Sequence, residues 1–174
     1  RNPRTRCCAW AGRCIVGDVA TGPGWELRLG RWQDVLRDVA CGSIITDPPY
    51  SARTHAGQYK ERADGSYTTT LEYSSLSPDD VDSLVTWCAA AAGNWVCAMT
   101  DHVLAVAYES AGKECGLTTF PPVPCIVPGM TVRMAGDGPS SWTTYMMVSR
   151  TKAAFRWGTL PGWYTGPQGE RLMP

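Results

Sequence analysis

The chain has no charge excess, no long apolar run and little histidine. Its 16 basic and 16 acidic side chains cancel over 174 residues. That balance argues against a protein that holds nucleic acid by charge alone, because such proteins carry a basic surplus. It leaves room for an enzyme with a local basic loop. No stretch approaches the ~20 apolar residues that span a bilayer, so no membrane segment is expected. The basic start, Arg1-Asn2-Pro3-Arg4-Thr5-Arg6, leads into no apolar segment, and no secretory signal is expected either. The first residue is not Met, which leaves room for residues ahead of Arg1. Two histidines and no paired C-x-x-C give a metal ion too few ligands at the right spacing. The eight cysteines therefore read as free thiols in a reducing compartment. Cys41, Cys88, Cys97, Cys115 and Cys125 fall in or beside expected strands and helices, where a free thiol acts as a small apolar residue. Cys7, Cys8 and Cys14 cluster near the start without an assignable role. There is no internal repeat and no low-complexity tract.

What is present is one domain's worth of alternating elements. Residues 1–24 are rich in Arg, Cys, Gly and Pro, show no period and read as an irregular lead-in. Residues 25–174 carry the pattern. Trp25-Glu26-Leu27-Arg28-Leu29 alternates like a strand, and Gly30 breaks it. Trp32 to Val39 has Val35, Leu36 and Val39 at helical spacing. Ser43 to Thr46 reads as a buried strand that ends at Asp47. Tyr50 to Ser77 is polar and reads as a long functional loop. Ser77-Pro78-Asp79-Asp80 starts a helix: Ser77 caps the free amides, Pro78 fits the first turn and the acids suit the positive end of the dipole. Gly93 is expected to stop that helix. Asn94 to Met99 is a strand, and Asp101 caps a helix over 102–114, followed by Gly116. Leu117 to Val127 is a strand bent by Pro121, Pro122 and Pro124. Trp142 to Ser149 is a clear strand, with Met146 and Met147 on its core and neighbouring faces. A short strand over 155–157 is also expected. This order predicts an α/β fold with a mostly parallel sheet and an antiparallel hairpin at its end. Ligands of such sheets gather at the carboxyl ends of the strands, where Asp47 is placed.

The stretch after that strand, Asp47-Pro48-Pro49-Tyr50, is chemically specific. Each proline fixes its own φ and pushes the preceding residue toward extended geometry. The chain leaves the strand tip stiff, with Pro49 enforcing the shape. It presents two acceptors, the Asp47 carboxylate and the Pro48 carbonyl, beside the flat ring of Tyr50. A planar exocyclic amine suits such a wall. Its lone pair is delocalised into the ring of adenine or cytosine. Two acceptors that take its hydrogens favour the tetrahedral form and stabilise the positive charge that grows during attack. An aromatic face holds a base extruded from the duplex.

These residues carry a resemblance. "TDPPY" resembles the catalytic motif of the amino-group DNA methyltransferases, which move a methyl from S-adenosylmethionine to adenine or cytosine. A chance D-P-P-Y in a chain this long has odds on the order of one in a thousand. "LRLGRWQDVL", "CGSIITDPPYS", "SPDDVDSLVTW", "NWVCAMTDH" and "WTTYMMVSR" are similar to the family's elements in order, so the resemblance covers about Trp25 to Pro174. It implies a Rossmann-like methyltransferase sheet and S-adenosylmethionine as cofactor. It also implies duplex DNA with a flipped base as partner, adenine favoured over cytosine, and a bacterial or phage-infected cytoplasm. Asp47 and Pro48 would orient the amine and Tyr50 would stack on the base. Asp47 would also touch the cofactor, with Gly30 as a second contact.

Ser51, Arg53, His55, Lys60, Arg62 and Arg133 are candidate nucleic-acid contacts. The basic ones among 53–62 alternate with Tyr59, Tyr67 and Tyr73 in a way that suits phosphates and stacked bases. His55 reads as a phosphate or solvent contact and not as a general base. A solvated loop explains the same residues, and both readings stay open. Asp101 reads as a helix cap.

The chain departs from the family in two places. The Gly-rich cofactor motif is not found in it, and Arg31 stands where related chains often have Asp. In the permuted order of the family, the Gly-rich motif would follow Pro174. The sheet is accordingly expected to be incomplete here. The cofactor half is expected in a continuation of the chain or in a second polypeptide, and residues 1–174 alone are expected to hold S-adenosylmethionine poorly. Two rivals remain: an RNA base methyltransferase, and an inactive fragment that only contacts nucleic acid.

Overall fold

The computed structural model describes residues 18–58, 73–128, 141–151 and 161–166. The chain divides between Val39 and Ala40 into two compact units. In the first, β1 (Asp18–Gly22) and β2 (Trp25–Leu29) pair as an antiparallel hairpin. Gly24 at its tip has φ +80°, the value a type II turn needs after a proline. Residues 18–22 thus form a strand where the sequence shows no period. The pairing with β2 supplies the order. The next element, α1 (Trp32–Val35), is a single turn and not the helix over 32–39 that its spacing predicts. The Arg28 guanidinium donates to the Val35 carbonyl and the Asp38 carboxylate, both at 2.7 Å. That clamp ties the end of α1 back to β2.

The second unit is a mixed sheet with helices. Its elements are β3 (Cys41–Thr46), α2 (Ala52–Gln58), α3 (Pro78–Ala91), β4 (Ala92–Thr100), α4 (Ala105–Glu114), β5 (Thr118–Thr119), β6 (Val123–Pro128), β7 (Ser141–Arg150) and β8 (Tyr164–Thr165). The strands order as β3-β4-β7-β6-β8, with β5 also on β7. β3 is parallel to β4, and β6 is parallel to β8. β7 is antiparallel to both β4 and β6. Hence β3, β4, β6 and β8 run one way and β7 alone runs back. The expected hairpin of β6 and β7 is present, but it does not end the sheet. β7 is inserted between β4 and β6, so most neighbour pairings are antiparallel even though most strands share a direction.

The bent strand is real. Thr119 pairs with Ser149 and Val123 with Met146, so the register on β7 slips by one residue across Pro121 and Pro122, which donate no ladder bond.

The core lies between one sheet face and the helices α3 and α4. Val81, Leu84, Val85, Cys88 and Ala91 recur at helical spacing on α3 and are all buried. Leu84, Val85 and Cys88 meet Val96 and Ala98 of β4, Tyr108 of α4 and Met147 of β7. Burial pushes the Cys88 thiol up to about 12, in keeping with its role as an apolar residue. The Ser77 hydroxyl accepts from the Asp80 amide at 3.2 Å, and the Asp80 carboxylate accepts from the Ser77 amide at 2.9 Å. This is the complete capping box at the predicted start. Gly116, with φ +71°, ends α4 as expected. Gly93 does not end α3. It lies within β4, where a Cβ would stand 3.4 Å from the Cys41 carbonyl, beside a register shift in the β3–β4 pairing.

β3 is also not the buried strand that its apolar letters suggest. It is the first strand of the sheet, paired with β4, and Ile45 is 86% exposed.

Candidate functional site

At the carboxyl end of β3 lies a cavity of about 370 Å³. Asp47, Pro48, Pro49, Tyr50, His55 and Tyr73 line it. The four residues singled out in the sequence thus share one hollow. His55 and Tyr73, both later in the chain, line the same hollow. Asp47 is exposed, and Pro48, Pro49 and Tyr50 are half-buried. The Tyr50 phenol is pushed up, first by burial and then by the neighbouring Asp47 carboxylate, so it stays protonated through the neutral range. The wall therefore offers a carboxylate, a neutral phenol and proline rings, with free rotation withheld from the backbone between them.

The first turn after this wall is helical, where the composition predicts a loop. Ser51 stands ahead of α2, and its hydroxyl accepts from the Thr54 amide at 3.4 Å while its carbonyl accepts from the His55 amide at 2.9 Å. This is an N-cap, read in the sequence as one more polar letter. Leu76 returns to the same place, its amide donating to the Tyr50 carbonyl at 3.1 Å. The wall is thus held on both sides.

Asp101 anchors the arrangement. It lies just past the tip of β4 and is 1% exposed. One carboxylate oxygen, Oδ2, accepts from the Ser51 amide at 3.0 Å and from the Ser51 and Thr54 hydroxyls at 2.5 Å each. The other, Oδ1, accepts from the Val103 and Leu104 amides at 3.0 and 3.1 Å. Burial alone would raise its pKa. The Ser51 and Thr54 hydroxyls, with the Leu104 and Ser51 amides, outweigh burial and hold the carboxyl below its ordinary range. The predicted cap is real, though the helix proper begins only at Ala105. The sequence reading missed its second half: Asp101 also fixes α2, and through it the residues after Tyr50.

The other candidates separate. Ser51 is 3% exposed and spends its hydroxyl on Asp101, so it is corrected from a nucleic-acid contact to a structural residue. His55, read as a phosphate or solvent contact on a loop, lies on a helix, is 7% exposed and lines the cavity. Its ring meets Tyr73 edge-on, with centroids 5.2 Å apart and planes at 75°. Arg53 sits on the exposed side of α2. Gly30 belongs to the first unit. A Cβ there would stand 2.5 Å from Val35 Cγ1, so local packing accounts for the glycine. Lys60, Arg62 and Arg133, like Tyr59, Tyr67, Cys7, Cys8, Cys14 and the short strand expected over 155–157, lie outside the described residues. Among the described residues no helix is long and apolar enough to cross a membrane, and no three His, Cys, Asp or Glu side chains converge on a point.

No protein-family model matches the chain, and no curated protein matches it.

Proposed function

We propose that this chain orients the exocyclic amine of a nucleobase, adenine before cytosine, for methylation in DNA with S-adenosylmethionine as the donor. One observation carries the reading: Asp47, Pro48, Pro49 and Tyr50 line a single cavity at a strand tip, together with His55 and Tyr73. Its volume lies at the small end of ligand pockets. An aromatic face and a carboxylate are what a flat, amine-bearing ring needs. The sheet, with β3, β4, β6 and β8 in one direction and a β6–β7 hairpin, is compatible with the methyltransferase resemblance.

In this reading the Asp47 carboxylate and the Pro48 carbonyl each accept one N–H of the amine. The nitrogen lone pair then points away from the wall. Tyr50 stacks on the ring and, being neutral, adds no repulsion beside Asp47. The amine needs no base beforehand, since its proton becomes acidic only once the nitrogen carries positive charge. Asp47 is the acceptor nearest to that proton. The donor's own cradle does not fit the residues described. Gly30, the glycine put forward for it, is packed against Val35. The cradle is assigned to residues beyond those described, in the same protein or in a partner, and no step is derived through the cofactor.

The test is nucleoside mass spectrometry on DNA and RNA from cells that express the full-length protein or its Asp47→Ala form. N6-methyladenine or N4-methylcytosine in DNA, lost in the variant, is the expected result. A modified base in RNA alone moves the substrate to RNA. No modified base, or equal amounts with both forms, overturns the reading.

A further inference from the structure

His55 has a buried nitrogen that the fold does not use. The imidazole lines the cavity at 7% exposure, and Nε2 has no hydrogen-bond partner among the described residues. Buried polar atoms are normally paired, and this unpaired one belongs to a side chain of the cavity wall, so a ligand seated there can supply the missing partner. The backbone that carries the ring is tied down. Its backbone amide is bonded to the Ser51 carbonyl, Ser51 and Thr54 are both bonded to Asp101, and Tyr73 packs against the imidazole edge-on.

Resting on the proposed function, we infer that His55 Nε2 donates a hydrogen bond to a ring nitrogen of the bound base. Asp47 and Pro48 are acceptors and read an amine. An amine-bearing base also presents an acceptor beside that amine: N1 or N7 in adenine, N3 in cytosine. An imidazole N–H is the complement of that acceptor and a mismatch for the N3–H of thymine. Asp47 and His55 together then read an adjacent donor and acceptor, which makes His55 a specificity-determining residue.

The chain has only two histidines, so the imidazoles are easily told apart by NMR. The full chain, with ¹⁵N-labelled histidine and backbone, is titrated with 2′-deoxyadenosine, its 1-deaza and 7-deaza analogues, and thymidine. The Nε2 signal of His55 should move with deoxyadenosine while that of His102 stays put. One of the two deaza analogues should bind about tenfold more weakly than deoxyadenosine, and thymidine more weakly still. His55→Phe should erase that preference, and His55→Gln, which keeps an N–H donor, should restore part of it. If the Asp47 and Tyr50 amides respond but His55 Nε2 does not, or if both deaza analogues bind as deoxyadenosine does, the role of His55 is wrong and the base pocket stands. If no signal responds as deoxyadenosine approaches its solubility limit, both readings fall.

Discussion

Thr46-Asp47 closes β3 and Thr100-Asp101 closes its parallel neighbour β4, yet the two carboxylates sit in opposite surroundings. Asp47 is exposed and faces a cavity. Asp101 is 1% exposed and receives five hydrogen bonds, from two hydroxyls and three amides. The residues that follow make part of the difference. After Asp47 two prolines hold the chain extended, and the second stands where Val103 supplies an amide to Asp101, so that donor is missing here. After Asp101 the chain turns ahead of α4, and the amides of Val103 and Leu104 fold back onto the side chain. An acid at a strand tip is therefore either available to a ligand or consumed by the fold. The donors within reach decide which: Val103 and Leu104 just after the tip, and Ser51 and Thr54 from α2 and its cap.

The largest effect is expected from removing the consumed acid. Asp101→Ala leaves two hydroxyls and three amides without their acceptor in a buried place and should cost about 3–5 kcal/mol. That is a large share of the ~5–15 kcal/mol that holds most domains together. Urea unfolding measures it, and a cost near zero would mean that the hub is dispensable.

The same carboxylate gives the comparison a pH dependence. The folded state holds Asp101 below its ordinary pKa, so folding favours the ionised form. Its contribution is complete above the unfolded value of about 4 and drains away as pH falls through the lower folded value. Unfolding free energy measured from pH 6 down to pH 2.5 should fall less steeply in Asp101→Asn than in the parent. Parallel slopes in the two proteins would remove Asp101 from the acid response.

A smaller effect separates the ring of Tyr50 from its hydroxyl. Tyr50→Ala should weaken binding of deoxyadenosine by about 1–3 kcal/mol, the worth of stacking on one base. Tyr50→Phe keeps the ring and should stay within ~0.5 kcal/mol of the parent. Equal losses in the two variants would make the phenol group the true contact.

The smallest signal is expected from the cofactor itself. Calorimetry of residues 1–174 with S-adenosylmethionine should give a Kd no tighter than about 1 mM. A micromolar Kd would mean that residues 1–174 already contain the donor's cradle.

How far the sequence revealed this site depends on the range of each signal. The capping box at Ser77, the bend at Pro121-Pro122 and the stop at Gly116 are local, and each is found where the letters put it. The Asp47–Tyr50 wall is local too, because proline stiffness needs no partner. Pairing is not local. The apolar letters of β3 suggested burial, but a strand at the start of a sheet keeps one side open, and Ile45 is exposed. Asp18–Gly22 shows no period and becomes a strand only because β2 pairs with it. The insertion of β7 between β4 and β6 leaves no trace in either segment. Ser51 and Asp101 are 50 residues apart in sequence, so their bond was beyond pattern reading. The N-cap of α2 was within reach, since Ser51 and Thr54 stand three residues apart, but it was masked by the polar composition around it.

On the proposed function, Asp47 serves a ligand while Asp101 serves the fold. Asp47→Ala tests it most directly, in one protein preparation measured twice. The variant should keep an unfolding free energy within about 0.5 kcal/mol of the parent, as for an exposed side chain, and show no detectable binding of 2′-deoxyadenosine by NMR titration. Parental binding by the variant, or a loss of stability as large as that expected for Asp101→Ala, would contradict it.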